Sequence, residues 1–227
     1  LLSGELFRTA LGYQLGLYNG LQRSNFFYQG YAQNFAPFGN RFDGLAYAVR
    51  LTTDPLGRTS SSIADEEKVS SPRVGAGANY LFSDGGSRDV HTAGGDLHFK
   101  YLGIHLIAEG LYSRVEPEEQ PTVTGALPFD VTSYSIVGEA GYMFIKQMLG
   151  TSIRFEWIDP DTSVDDESDN WLITGGAQVQ LVDSVLKGQL EYTHREERHG
   201  QSLDNDSFTI ALQGYLDPVR DKTGTRR

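Results

Sequence analysis

Cysteine is absent from the 227 residues, which removes disulfide scaffolds, zinc knuckles, iron–sulfur clusters and thiol catalysis together. Long apolar runs are missing as well: no stretch approaches the roughly 20 consecutive apolar residues of a membrane-spanning helix. Basic residues are scarce, with 19 Lys plus Arg against 30 Asp plus Glu and a net charge of −11. No basic face large enough to neutralise a phosphate backbone is available, so nucleic acid is excluded as a partner. The chain opens on Leu1 with no initiator Met and no charged-then-apolar leader, so any targeting signal is expected to be removed or to lie upstream. Sustained apolar spacing of the helical kind is lacking too, although 145–150 suits a helical turn. At 39% apolar and 22% charged residues, the chain is neither a disordered tail nor a helical membrane protein.

What is present is alternation. Leu11, Tyr13, Leu15 and Leu17 occupy one parity, with Gly12, Gln14, Gly16 and Tyr18 on the other. Leu97, Phe99 and Tyr101 likewise alternate with Asp96, His98 and Lys100. A period of two is the mark of a strand with one apolar face. The pattern predicts about eleven strands, at 1–7, 10–18, 45–53, 73–82, 94–102, 104–114, 132–144, 150–158, 170–181, 185–194 and 206–216. Short connections fall at Arg8 and Thr9, Leu102 and Gly103, 145–149 and 182–184. Long polar ones fall at 19–44, 83–93, 115–131, 159–169 and 195–205. One stretch breaks the rhythm: 54–72 is long, serine-rich and charged where a short turn is due. The expected fold class is all-β, an antiparallel meander whose two ends meet different surroundings.

Charge placement separates a membrane barrel from a soluble sandwich. Within the expected strands, Glu5, Arg50, Asp96, Lys100, Glu109, Glu139, Arg154, Glu156, Lys187 and Glu191 all fall opposite the aliphatic parity. A charge-free face about 25 Å tall is what hydrocarbon demands, because Lys or Arg at mid-bilayer costs roughly 2–4 kcal/mol. On the apolar parity, Tyr112 and Tyr134, Trp157 and Trp171, and Tyr192 and Phe208 bracket three successive long loops. Tyr101, Tyr142 and Phe144 mark the short-turn ends, which gives two aromatic girdles. Rings at strand ends also plug the ends of a soluble sandwich core, so that alternative stays open. With apolar residues outside, the polar face encloses water. Its expected pore-lining residues are Arg50, Asp96, His98, Lys100, His105, Glu109, Glu139, Arg154, Glu156, Lys187 and Glu191. Because eleven is odd and closed antiparallel barrels need an even count, 1–216 is read as the C-terminal part of a 16–18-stranded transmembrane β-barrel, with 217–227 as a polar tail.

The segments "LGYQLGLYNG" at 11–20, "LTTDPLG" at 51–57, "VGAGANYLFSDG" at 74–85, "GGDLHFKYLGIHLIAEGLYSR" at 94–114, "GYMFIKQMLGTSIRFEWIDPD" at 141–161 and "LKGQLEYTHREE" at 186–197 carry a resemblance. Together they resemble the phosphate-selective porin O/P family of Gram-negative outer membranes. The resemblance implies a 16-stranded barrel in the bacterial outer membrane, a homotrimer, a pore lined by Arg and Lys for phosphate or other anions, and a constriction of inward-folded loops. Partners on this reading are outer-membrane lipid, lipopolysaccharide and small hydrophilic solutes or ions. Cofactors are none, and no enzyme activity is expected. The inferred wall departs from the anion pattern, with four positive residues against six negative, which points to a non-selective or mildly cation-selective pore. Two rivals from other classes are a structural sleeve around a partner protein and a soluble lectin-like or adhesive sandwich.

Other chemistry is weaker. Residues 159–170 hold six carboxylates and echo the first EF-hand positions at Asp159, Asp161 and Ser163. Val164 stands where that loop needs Gly and Asn170 where it needs Glu, so the match fails, leaving a solvated acidic loop or a weak divalent-cation bridge to lipopolysaccharide. His98 and His105 share a polar face, but a metal there needs a third ligand and no ammonium neighbour, and Lys100 is expected opposite His105. Asp96 opposite Glu109 has the look of a glycosidase carboxylate pair, which is read as pore lining instead. No Gly-rich phosphate loop or nucleophile elbow occurs. The loop at 20–44, with Phe26, Phe27, Tyr28, Tyr31, Phe35 and Phe38, is aromatic enough to fold into the pore, pack on a neighbouring subunit or pack on itself over the barrel mouth.

Overall fold

The computed structural model describes residues 1–6, 11–19, 45–59, 62–84, 88–117, 130–166, 168–181, 186–199 and 205–214. The expected loop at 20–44 and tail at 217–227 lie outside them. Eleven strands follow one another: β1 (Leu2–Leu6), β2 (Leu11–Asn19), β3 (Leu45–Thr53), β4 (Arg73–Asp84), β5 (Arg88–Tyr101), β6 (Ile104–Pro117), β7 (Val131–Ile145), β8 (Leu149–Asp159), β9 (Asn170–Leu181), β10 (Leu186–Glu197) and β11 (Ser207–Gly214). They form one antiparallel sheet in strict chain order, and no helix occurs among the described residues. The all-β expectation is met. Among the described residues β1 and β11 remain the two edges and do not touch, so the sheet is not closed.

Most boundaries fall within three residues of the sequence expectation, and two places differ in kind. Residues 83–93 were expected as a long loop, yet β5 begins at Arg88, where His91 and Thr92 face Arg114 and Ser113 in the β6 ladder. The Gly94 and Gly95 pair, which reads as a strand start, lies inside β5 opposite Leu111 and Gly110. At 146–148 the chain makes a turn instead of the expected helical turn, after a register shift between Met143 and Ile145.

The registers fix which residues share a face. Lys100 pairs with His105 and Asp96 with Glu109, as expected from a two-residue turn at Leu102 and Gly103. Both turn residues have positive φ, 50° and 92°, the requirement of a type I′ hairpin. Leu102 is an uncommon choice there. Its position is held from outside, by Leu102 N donating to Val69 O at 2.9 Å and Gly103 N donating to an Asp65 carboxylate oxygen at 2.7 Å.

Burial is inverted relative to a soluble sheet. On the aliphatic parity Leu97 and Ile153 are each 58% exposed, and Ile136, Phe155 and Leu190 are exposed as well. On the opposite parity Lys100 and His105 are each 3% exposed and Thr174 is buried. The buried residues are therefore largely polar, Asp65, Lys100, His105 and Thr174 among them, with Ile107 and Met143 buried as apolar members of the charged face.

This turn yields a stability prediction. A Cβ at Gly103 would meet Met143 O at 2.9 Å in a left-handed conformation that L side chains avoid. Gly103→Val is expected to cost about 2 kcal/mol or more. Gly110→Ala, where a Cβ meets nothing within 4 Å, is expected to stay within about 0.5 kcal/mol. Denaturant unfolding followed by the fluorescence of Trp157 and Trp171 checks both. Equal losses would contradict the turn assignment.

Candidate functional site: the polar face

Eleven wall residues singled out by alternation all lie on the polar face, and the structure sorts them into two groups. His105, Glu139, Arg154, Lys187 and Glu191, from β6, β7, β8 and β10, line one cavity of about 390 Å³. Arg50, Asp96, His98 and Glu109 line a second, of about 420 Å³. Lys100 lies buried beneath Ser62, and Glu156 sits beside Arg154. All eleven thus belong to one continuous surface.

Pairing decides which of these charges are available. Asp96 accepts from Arg50 at 2.7 Å and meets His98 Nε2 at 2.9 Å. A Cβ at Gly77 would collide with both Asp96 and Arg50, so glycine is what lets this pair lie flat on the wall. Arg154 Nε contacts Glu156 at 2.5 Å, and His105 Nε2 contacts Glu139 at 3.3 Å. The Lys100 ammonium donates to the carbonyl of Ser62, with the carboxylates of Asp65 and Glu66 close enough to act on it. Lys187, Glu109 and Glu191 hold no ion pair among the described residues.

The feature that sequence reasoning missed is residues 62–70. The acidic run Asp65, Glu66 and Glu67 reads as a screened connection, yet Asp65 is only 2% exposed. Its carboxylate accepts from Val69 N at 3.1–3.2 Å and from Gly103 N at 2.7 Å, closing its own turn and fastening it to the β5–β6 hairpin. Glu66 reaches further. Its carbonyl accepts from Gln147 N at 2.9 Å, and its carboxylate from Gln180 Nε2 on β9 at 3.0 Å, 114 residues away. Glu67 is held by Lys146 at 3.0 Å and by the Gln147 side chain. The Lys146 hydrogen bond keeps the Glu67 carboxyl below its ordinary pKa. Lys68 donates to Phe144 O at 3.3 Å and lies 5.0 Å from the centre of the Tyr142 ring. The segment therefore spans the short-turn end of the polar face from β5 to β9, with Ser62, Ile63, Ala64 and Glu66 forming one side of the 390 Å³ cavity. The only sequence signal for it is the break in turn rhythm at 54–72.

On the other face, the aromatic pairs stand as the alternation requires. Tyr112 faces Tyr134 with ring centroids 5.4 Å apart, Trp157 faces Trp171, and Tyr192 faces Phe208. Tyr142 and Phe144 make an edge-on contact at 5.1 Å at the short-turn end. Between Tyr134 and Tyr142 run eight residue steps of roughly 3.3 Å, about 27 Å along the strand.

No family model, curated protein or solved structure matches this chain. The functional reading therefore rests on the geometry itself.

Asp65 is the tie that holds 62–70 in place. Each hydrogen bond to an ionised group contributes about 1.5–3 kcal/mol, and Asp65→Ala removes those to Val69 and Gly103. The variant is expected to lose about 2–4 kcal/mol and to admit proteolytic cutting within 62–70. Limited proteolysis with mass spectrometry checks the second part, and a segment that stays protected would show that Asp65 is not the tie.

Proposed function

We propose that this sheet is the wall of an outer-membrane β-barrel, with its aliphatic face toward hydrocarbon and its charged face around a water-filled passage for small hydrophilic solutes or ions. The observation that carries the reading is the inverted burial. Leaving side chains such as Leu97, Ile153 and Phe155 in water forfeits about 1.5–3 kcal/mol each, so such a face calls for an apolar neighbour. All eleven strands lie in one sheet, and among the described residues no second sheet covers that face. This argues against the soluble sandwich. The two rows of rings, about 27 Å apart along β7, suit an apolar band about 25 Å tall.

Residues 62–70 supply the narrowing such a pore would need, at its short-turn end. They also count against a sleeve around a partner protein, because part of the polar face a partner would contact is already covered by the chain's own Ser62 carbonyl and Glu66 carboxylate.

Charge pairing supports a weak cation preference over the phosphate selectivity that the family resemblance implies. Arg50 and Arg154 are each drawn onto a carboxylate, and Lys100 onto a carbonyl. Glu139 meets only an imidazole, Glu66 shares the Lys100 charge with Asp65, and Glu109 and Glu191 have no ion partner among the described residues. Lys187 is left as the main opposing charge.

Arg substitution tests the orientation. Ala140→Arg and Leu190→Arg, on the aliphatic face, are expected to impair membrane assembly by about 2–4 kcal/mol, and Glu139→Arg and Gln189→Arg far less. Comparable loss in both pairs would sink the orientation. Planar-bilayer recording tests the pore. The closed barrel to which this sheet belongs is expected to conduct, with a reversal potential in a salt gradient showing little or mild cation preference, and replacing 62–70 by a short Gly-Ser link is expected to raise the conductance. A silent protein, or strong anion selectivity saturated by phosphate, would refute this reading.

A further inference from the structure

At the long-loop end, the segment after β8 meets the residues after β10. His199 Nε2 lies 3.6 Å from Asp165 Oδ1 and 3.8 Å from Asp169 Oδ2. Both separations are longer than a hydrogen bond. They suit two donors on one ion, since ligands each about 2.1 Å from a metal stand about 3.4 Å apart at the tetrahedral angle and further apart as it widens. One donor atom from each of the three residues lies within 4.8 Å of the others.

Burial supplies a second and independent sign. The Asp169 side chain is only 3% exposed, and its Oδ1 has no hydrogen-bond partner. Asp159 Oδ1 is likewise buried and unpartnered, and its carboxylate is close enough to Asp169 for their charges to act on each other. Burying an ionised carboxylate with an oxygen left bare costs several kcal/mol unless a cation faces it. Arg198 is close enough for its charge to act on Asp159, while its guanidinium lies over the Trp157 ring at 5.8 Å. Backbone hydrogen bonds from Arg198 N to Asp169 O at 2.8 Å and from Asp169 N to Asp166 O at 3.2 Å hold the two segments in this relation. Main-chain contacts thus bring the Asp169 and His199 segments together, and the exposed Asp165 side chain completes the set from the same connection.

We propose that Asp165, Asp169 and His199 bind one divalent cation of the zinc class. An imidazole among the donors selects a borderline transition ion over Ca²⁺ or Mg²⁺, which prefer all-oxygen shells. The site joins two long connections at the end of the sheet remote from 62–70, so it ties β8 and β9 to β10 independently of any passage along the polar face.

Calorimetric titration of the metal-free, full-length chain in detergent with Zn²⁺ tests this. One saturable ion per chain is expected. Its affinity should fall at least about tenfold in His199→Ala, whose side chain is a third exposed, and in the isosteric Asp169→Asn. Asp206→Asn, which removes a carboxylate at the same end that is engaged with His194 at 2.8 Å, should leave the affinity unchanged. Absence of Zn²⁺ binding overturns the proposal, as does a Zn²⁺ affinity in the two ligand variants equal to that of the unaltered chain. Calcium bound as tightly as Zn²⁺, and unaffected by His199→Ala, overturns it as well, by showing a site made of carboxylates alone.

Discussion

Side chains alternate along a strand, so a slip of one residue in any ladder would turn Lys100 or Glu139 toward the aliphatic side and Leu97 or Ile153 among the charges. Every other feature of this molecule depends on that constraint. Ten successive antiparallel ladders must hold register for the polar residues to share one face, and the shortest turns set it where they can. Leu102 and Gly103 leave no freedom between Tyr101 and Ile104, and the pairing of Asp96 with Glu109 follows five rungs away. Turns alone do not secure the arrangement. Leu102 takes an unfavourable left-handed conformation, and its amide is held by Val69 while the next amide is held by Asp65, from a segment outside the sheet.

Most of the sheet was legible because alternation is a local signal. The parity of Leu97, Phe99 and Tyr101 against Asp96, His98 and Lys100 needs no knowledge of partners, and it placed all eleven wall residues on one face. The ring pairs followed from the same parity, with Trp157 opposite Trp171 across a connection whose length varies freely. The misreadings have physical causes. Gly94 and Gly95 carry no side chain to show a face, so alternation is silent there and β5 reads six residues too short at its start. Residues 62–70 make their contacts across 33 to 114 positions, several of them to backbone amides and carbonyls, and such contacts leave no periodicity. His199 meets Asp165 and Asp169 for a similar reason: neither loop alone contains a ligand set, and only the β9–β10 ladder brings them together.

Largely polar burial inverts the usual energetics. A hydrophobic core gains by excluding water, whereas here buried groups such as Lys100, His105 and Asp65 must each find a partner or forfeit the hydration they leave. That requirement explains why a segment as acidic as Asp65, Glu66 and Glu67 can lie against the wall. Its carboxylates are met by Gly103 N, by the Gln180 and Gln147 amides and by the Lys146 ammonium, so the charge is spread over donors from three separate turns and strands. An apolar segment in the same place would leave the amides of Gly103 and Gln147 bare.

That placement also changes how charge should be counted. The net charge of −11 is a poor guide to what an ion on the polar face would meet, because the acidic residues between Asp159 and Asp169 lie at the far end and are screened beyond about 8–10 Å at physiological salt. Low-dielectric walls act the other way, focusing the field of residues that line a narrow aqueous space. Arg50 and Arg154 contribute little to that field, since each forms a close pair with Asp96 or Glu156 and the two charges cancel at short range. Glu66 belongs in the count, although its position in the sequence suggests a solvated connection. With Asp65, Glu66, Glu109, Glu139 and Glu191 set against Lys100 and Lys187, the balance is negative on the polar face itself, and it is this local surplus, not the composition of the whole chain, that bears on which ions that face would favour.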